Sequence, residues 1–312
     1  MEDEKSSDDD GGPPLIRAQK LEEYLGISKI YIKLESFNPT GTHKDRIARV
    51  HVEEVNKLGF SAITTGTCGN YGISIAYFAQ KYGLKAHIFI PRAYSNIRLK
   101  ELEKYGAEVV FINGSYEEAV FESKKFAKEN NIYDANPGSK PWIDYEGYAA
   151  ISREIAKNVT PYAVFVPVGN GTTLVGIYHG FRQLGFTPHM IGVTTSFGNQ
   201  VLNAFYTKSF DEVKDFAETK FNEPLVSSIS FDFDNALEAI YDSDGYVFGF
   251  ADDVSFKYAY LLERFEGIKA FPASALVLAG LVKFVKKFGV NGRNFVLILT
   301  GGLKDGKSPN LG

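Results

Sequence analysis

Val166-Pro167-Val168-Gly169-Asn170-Gly171-Thr172-Thr173-Leu174 decides the fold of this chain. The residues leading through it, Ala163 to Val168, are apolar and read as a buried strand. Gly-Asn-Gly-Thr-Thr follows as a turn, and an amphipathic helical pattern then runs to about Gln183. A strand, a glycine turn and a helix N-terminus let backbone amides cradle a phosphate, and Thr172 and Thr173 add hydroxyl donors. The competing reading is a tight strand-to-helix connection. No Gly-Lys-Ser/Thr follows, so this is not a Walker loop. The third glycine of the dinucleotide fingerprint is misplaced, because Gly171 leads into Thr-Thr-Leu.

A second segment, Thr64-Thr65-Gly66-Thr67-Cys68-Gly69-Asn70-Tyr71-Gly72, follows the short strand Ser61 to Thr65 and opens a helix from about Asn70 to Tyr82. It is another glycine-rich loop at a helix start, and it suits a carboxylate. Upstream lies Lys33-Leu34-Glu35-Ser36-Phe37-Asn38-Pro39-Thr40-Gly41-Thr42-His43-Lys44-Asp45-Arg46. Here a strand from Lys29 to Leu34 enters a Pro-Thr-Gly turn, and a helix begins at about Lys44. A cation in the first helical turn faces the positive end of the macrodipole. Lys44 is therefore either a solvated surface lysine or an amine meant to be neutral or covalently engaged, as in Schiff-base chemistry. Two anion sites and one placed lysine describe a ligand with a phosphate at one end and an amino acid at the other.

The rest of the chain alternates in the same way. Strands are expected at Ser61 to Thr65, Lys85 to Pro91, Glu108 to Ile112, Ala163 to Val168, Met190 to Thr194 and Asn294 to Thr300. Helices are expected at Asn96 to Tyr105, Tyr116 to Glu129 and Ala273 to Phe288. Such alternation implies an α/β fold of parallel sheets covered by helices, with ligands at the carboxyl ends of the strands. Ser196 to Ser230 is less regular and reads as a gate or a partner surface. The length of 312 residues allows one or two domains, and a net charge of −4 argues against a nucleic-acid surface. No apolar run is long enough to span a membrane. No Cys/His cluster has metal-ligand spacing, so no metal is expected. Residues 1–13 read as a disordered acidic tail without the features of a signal peptide. A single cysteine fits a reducing cytoplasm.

In combination and in order, these motifs resemble the pyridoxal phosphate enzymes of the tryptophan synthase beta family, fold type II, from about Pro14 to Asp305. The resemblance implies two parallel-sheet three-layer domains with the cofactor in the cleft between them. The large domain would be residues 14–36 and 146–312, and the small mobile domain residues 37–145. It implies that Lys44 is the catalytic, cofactor-bearing lysine and that Asn70 bonds the cofactor's phenolic oxygen. Thr67, Cys68, Gly69 and Tyr71 would line the substrate carboxylate site. Gly169, Asn170, Gly171, Thr172 and Thr173 would form the phosphate cup. Leu299-Thr300-Gly301-Gly302-Leu303-Lys304-Asp305 resembles the C-terminal segment of threonine synthases, with Thr300 at the pyridine nitrogen. A hydroxyl there does not hold the nitrogen protonated as a carboxylate would, which favours elimination and replacement over transamination. Homodimers are common in the family.

Several positions depart from the pattern. Cys68 stands where a serine or similar small polar residue is usual, and a thiol is the poorer donor. Tyr71 either narrows the substrate pocket or packs the loop. His43 either helps cap the helix or takes a catalytic part. Phe271 replaces a common glutamate and makes its edge of the site more apolar. The largest departure is in Asn136-Pro137-Gly138-Ser139-Lys140-Pro141-Trp142-Ile143-Asp144-Tyr145-Glu146-Gly147-Tyr148, where Asp144 occupies the place of a phosphate-clamping arginine. Lys140 and Ser139 are the candidates to compensate. The resulting expectation is an enzyme acting on an amino acid with a side-chain leaving group, in threonine synthase fashion from O-phosphohomoserine. The alternative is a serine/threonine dehydratase or a cysteine synthase-like β-replacement. A non-catalytic cofactor-binding relative and an unrelated nucleotide-binding protein are the readings from other classes.

Overall fold

A computed structural model describes residues 12–94, 98–214, 218–219 and 221–303. The expected acidic tail lies outside them up to residue 11, as do Lys304 and Asp305. The described chain up to Thr42 and from Ala149 on forms one compact unit, and His43–Tyr148 forms another.

In chain order the elements begin with β1 (Leu15–Arg17), α1 (Gln19–Leu25) and β2 (Ile30–Leu34). Then come α2 (Lys44–Leu58), β3 (Ala62–Gly66), α3 (Asn70–Lys81), β4 (Lys85–Pro91), α4 (Leu99–Lys104), β5 (Glu108–Ile112), α5 (Tyr116–Asn130) and β6 (Tyr133–Asp134). The chain returns through α6 (Pro141–Ala156), β7 (Ala163–Pro167), α7 (Thr172–Gln183), β8 (His189–Thr195), α8 (Gln200–Thr207) and α9 (Phe233–Asp242). It ends with β9 (Tyr246–Phe250), α10 (Asp252–Glu266), α11 (Pro272–Phe288) and β10 (Phe295–Leu299).

The larger unit holds a six-stranded sheet in the order β1-β2-β10-β7-β8-β9. Only the edge pair β1–β2 is antiparallel, and the other neighbours run parallel. The central strands β7 and β10 are buried along their whole length. That is why they read as continuous apolar runs rather than as alternating patterns. Phe165, Val193 and Leu297 face a core shared with α11, where Gly280 lets the helix approach the Val193 side chain. On the opposite face Gly192 admits Val168 and Leu174 of α7. The sheet thus lies between helical layers.

The smaller unit holds an all-parallel sheet in the order β5-β4-β3-β6. Its helix α5 is set by local chemistry. The Ser115 hydroxyl accepts from the Glu118 amide (3.2 Å), and the Glu118 carboxylate accepts from the Ser115 amide (2.6 Å). The sequence pattern does not give β1, β6 or β9: the first two have three and two residues, and the third carries Gly249 among aromatics.

Candidate active site

In the larger unit β10 and β7 are parallel neighbours, so the residues after each strand share one sheet edge. Gly171 takes a left-handed conformation (φ 95°) at the start of α7. The first amides of a helix have no intrahelical acceptor, and a glycine has no side chain to cap them. A Cβ on Gly169 would lie 2.7 Å from the Pro224 carbonyl oxygen, and one on Gly171 would lie 2.5 Å from the Ala236 Cβ. Neither position tolerates a side chain, so only glycine fits either place in the turn. Its bracing comes from the irregular stretch after residue 196. The buried Asn199 Nδ2 lies 3.1 Å from both the Val168 and Gly169 carbonyl oxygens and 2.8 Å from that of Leu225. The Ser230 hydroxyl donates to the Asn170 carbonyl (2.6 Å), and the Ser227 hydroxyl donates to Asn170 Oδ1 (2.9 Å). The Asn170 side chain is thereby turned toward the brace. Sequence reasoning missed Asn199, Ser227 and Ser230, because no local motif marks them.

Thr300 follows β10, with its hydroxyl 3.3 Å from Ser274 Oγ. Gly301 pairs with Thr42 in an antiparallel bridge and receives the amide of Phe271 (3.2 Å). A Cβ on Gly301 would meet the Phe271 ring at 2.9 Å, so the aromatic lies against this segment. Among the described residues, buried Thr42 Oγ1 has no hydrogen-bond partner.

In the smaller unit Lys44 is the first residue of α2, and its Nζ lies 5.9 Å from the centroid of the Tyr148 ring. His43 stacks on the same ring (5.4 Å between centroids) and makes no side-chain cap to α2. After β3 the Thr67 hydroxyl accepts from the Gly69 amide (3.0 Å). Gly69 has φ 148°, a conformation open to glycine. Asn70 opens α3, and its Oδ1 receives Arg98 Nη1 (2.8 Å). Cys68 is half-buried. Tyr71 is buried, and its hydroxyl donates to the Ala135 carbonyl (3.0 Å), so it packs the loop. Burial, with the nearby Asp144 charge, pushes the Tyr71 phenol well above its ordinary range.

Within the segment 136–148, α6 begins at Pro141 and places Asp144 in its first turn. Asp144 is 4% exposed and takes His51 Nε2 at 3.0 Å. His51 Nδ1 lies 3.1 Å from the Tyr133 hydroxyl. A carboxylate only accepts, so Nε2 carries the proton, and a neutral ring accepts from Tyr133 at Nδ1. Asp144 is thus a buried structural partner of His51. Ser139 and Lys140 are also engaged. The Ser139 hydroxyl donates to Asp134 Oδ2 (2.8 Å), and Lys140 Nζ donates to the Asp134 carbonyl (2.8 Å). Burial holds the Lys140 amine below its usual value, against the attraction of Asp134 and Asp144.

A profile described as pyridoxal-phosphate dependent enzyme matches residues 7–301. The chain belongs to this family. As a member it is an enzyme whose cofactor is pyridoxal phosphate. It is 34% identical to the threonine synthase of Methanocaldococcus jannaschii over 95% of this chain and 76% of that protein. It is 31% identical to the threonine synthase of Methanosarcina acetivorans over 94% of this chain and 75% of that one. In fold it is similar to the processed threonine deaminase isoform 2 of Solanum lycopersicum (TM-score 0.80, 21% identity, 94% and 84% of the two chains). Maize serine racemase is comparable (TM-score 0.81, 17% identity, 93% and 88%).

The residues of this family member fit the cofactor. Gly171 opens α7 with no side-chain cap, and the first amides of that helix lack intrahelical acceptors, which suits the phosphate. The orphaned Thr42 hydroxyl, paired by its backbone to the residue after Thr300, can bond a ligand at the same sheet edge. Among the described residues no group of acidic, histidine or cysteine side chains could hold a metal ion, and no helix is long and apolar enough to cross a membrane.

Proposed function

We propose that this enzyme acts on an amino acid with a side-chain leaving group, and that its reaction is the threonine synthase one, O-phosphohomoserine and water giving threonine and phosphate. The likeness to threonine synthases along 95% of the chain carries this reading. The burial of Asp144 against His51 supports it, because that carboxylate is committed within the protein rather than opposed to a substrate phosphate.

Pyridoxal phosphate supplies an aldehyde that joins an amine and a ring that takes up the electron pair left when the α proton departs. Lys44 Nζ would hold the cofactor through its aldehyde and would serve as the base that moves the substrate α proton. The amides of Gly171 and Thr172, with the Thr173 hydroxyl, would hold the cofactor phosphate. Thr67 Oγ1 already accepts from the Gly69 amide, so its own proton is directed to an acceptor, the substrate carboxylate. Cys68, Gly69 and Tyr71 shape that loop. Asn70 would donate through its amide nitrogen to the phenolic oxygen. Thr300 would meet the ring nitrogen as a neutral hydroxyl.

A second reading, dehydratase or β-replacement chemistry on serine, threonine or an activated serine, is favoured by one observation. Ser139 and Lys140 are both tied to Asp134, so the 136–148 segment presents no arginine and no uncommitted lysine to a substrate phosphate. Phosphate release from O-phosphohomoserine by the cofactor-loaded enzyme separates the two, with Lys44→Ala as control. Threonine and phosphate in equal amounts, absent from the control, are expected. Ammonia from serine or threonine with no phosphate release would replace the first reading with the second.

A further inference from the structure

Arg98 belongs to no motif of the sequence. It precedes α4 in the left-handed region (φ 54°, ψ 23°), which L residues rarely adopt. Its guanidinium grips both oxygens of Glu101, Nε to Oε1 at 2.6 Å and Nη2 to Oε2 at 2.7 Å. The remaining arm, Nη1, donates to Asn70 Oδ1 at 2.8 Å. These charge-assisted contacts fix the fork, and its side chain is only 25% exposed.

The arrangement settles which way the Asn70 carboxamide points. Oxygen and nitrogen of an asparagine are interchangeable in shape, but a guanidinium can only donate. A flipped Asn70 would set N–H against N–H, so Oδ1 must face Arg98. Nδ2 and its two hydrogens face the other way, and only an acceptor suits them. The arginine charge also polarises the carboxamide and makes Nδ2 a stronger donor.

We infer that Arg98 is a positioning residue for the cofactor site: braced by Glu101, it locks the Asn70 amide as an oriented, polarised donor to an anionic oxygen of pyridoxal phosphate. This rests on the reading that Asn70 contacts the cofactor, and the experiment keeps the two apart. Arg98→Gly suits the left-handed backbone and removes the guanidinium. Arg98→Lys keeps a charge without the fork. Each is compared with Asn70→Ala and with the Arg98→Gly/Asn70→Ala double variant. Pyridoxal phosphate affinity, the pH midpoint of the visible band of the bound cofactor, and the melting of the cofactor-free protein are measured.

Arg98→Gly is expected to weaken cofactor binding about tenfold, the loss of one oriented hydrogen bond. The band midpoint should move in the direction seen in Asn70→Ala, melting should be unchanged or higher, and Arg98→Lys should restore part of the affinity. In the Asn70→Ala background, Arg98→Gly should add nothing. Wild-type affinity and band in Arg98→Gly, beside a defective Asn70→Ala, would overturn the inference, as would additive losses in the double variant. An Asn70→Ala protein with wild-type affinity and band would instead overturn the reading of Asn70, and the role of Arg98 with it.

Discussion

Asp144→Arg places a cation where the threonine synthase pattern has one, and the structure says that the change damages the protein. Asp144 is buried, with His51 Nε2 at 3.0 Å and His51 itself fully buried. Removing the carboxylate strands an imidazole N–H, which costs about 1–3 kcal/mol. The arginine brought in is also a buried cation set against another donor, and an uncompensated buried charge costs about 3–5 kcal/mol. The larger side chain has no room, because α6 lies close against α2: a Cβ on Gly147 would be 3.0 Å from both the Arg46 carbonyl oxygen and the Ile47 Cα. Asp144→Arg should therefore lose at least ~4 kcal/mol. Asp144→Asn, whose oxygen still accepts from Nε2, should lose ~1 kcal/mol. Trp142 is already 65% exposed, so unfolding is followed by the circular dichroism of the helices. With a urea slope of roughly 1–1.5 kcal/mol per molar for a unit of this size, the transition should move down by about 3 M. An Asp144→Arg protein that unfolds within ~1 kcal/mol of wild type and gains turnover of O-phosphohomoserine would refute the reasoning.

Thr42→Val deletes the orphaned hydroxyl, and a buried unsatisfied polar atom costs about 1–3 kcal/mol. The cofactor-free protein should then withstand more urea while binding pyridoxal phosphate more weakly, and a drop in cofactor-free stability would contradict this. Gly171→Ala meets a left-handed backbone and the Ala236 Cβ at 2.5 Å, so calorimetric titration should show cofactor affinity reduced by more than about tenfold. Unchanged affinity would separate the turn from the phosphate. Glu22 gives a pH signature. Burial raises its carboxyl, but the Arg17 hydrogen bonds and charge and the Ile30 amide outweigh burial and hold it below 4.5. A lowered folded value contributes stability above the unfolded range, lost as pH falls through the folded value. Glu22→Gln should thus be less stable than wild type at pH 7, with the gap closing in acid melts, and a gap constant with pH would exclude the linkage.

Local chemistry made much of this protein legible. The helix starts at Lys44, Asn70 and Thr172 and the strands at Lys85 and Ala163 follow from glycine turns and apolar runs a few residues long. The backbone conformations they demand are decided by neighbours in sequence. The same locality marked Lys44 and the two glycine turns as candidate sites, and the family resemblance added Thr67 and Thr300. Asp144, read only by its place in the chain, looked like a charge facing substrate. It meets His51, 93 residues away, because α6 packs on α2. The Asn70 orientation depends on Arg98, 28 residues away, and the phosphate turn depends on Asn199, Ser227 and Ser230. A hydrogen bond between distant residues leaves no periodicity along the chain. Only the packing of strands and helices brings its two atoms to bonding distance, so that packing, and not the motif, decided which polar side chains are committed to the scaffold and which are left for a ligand.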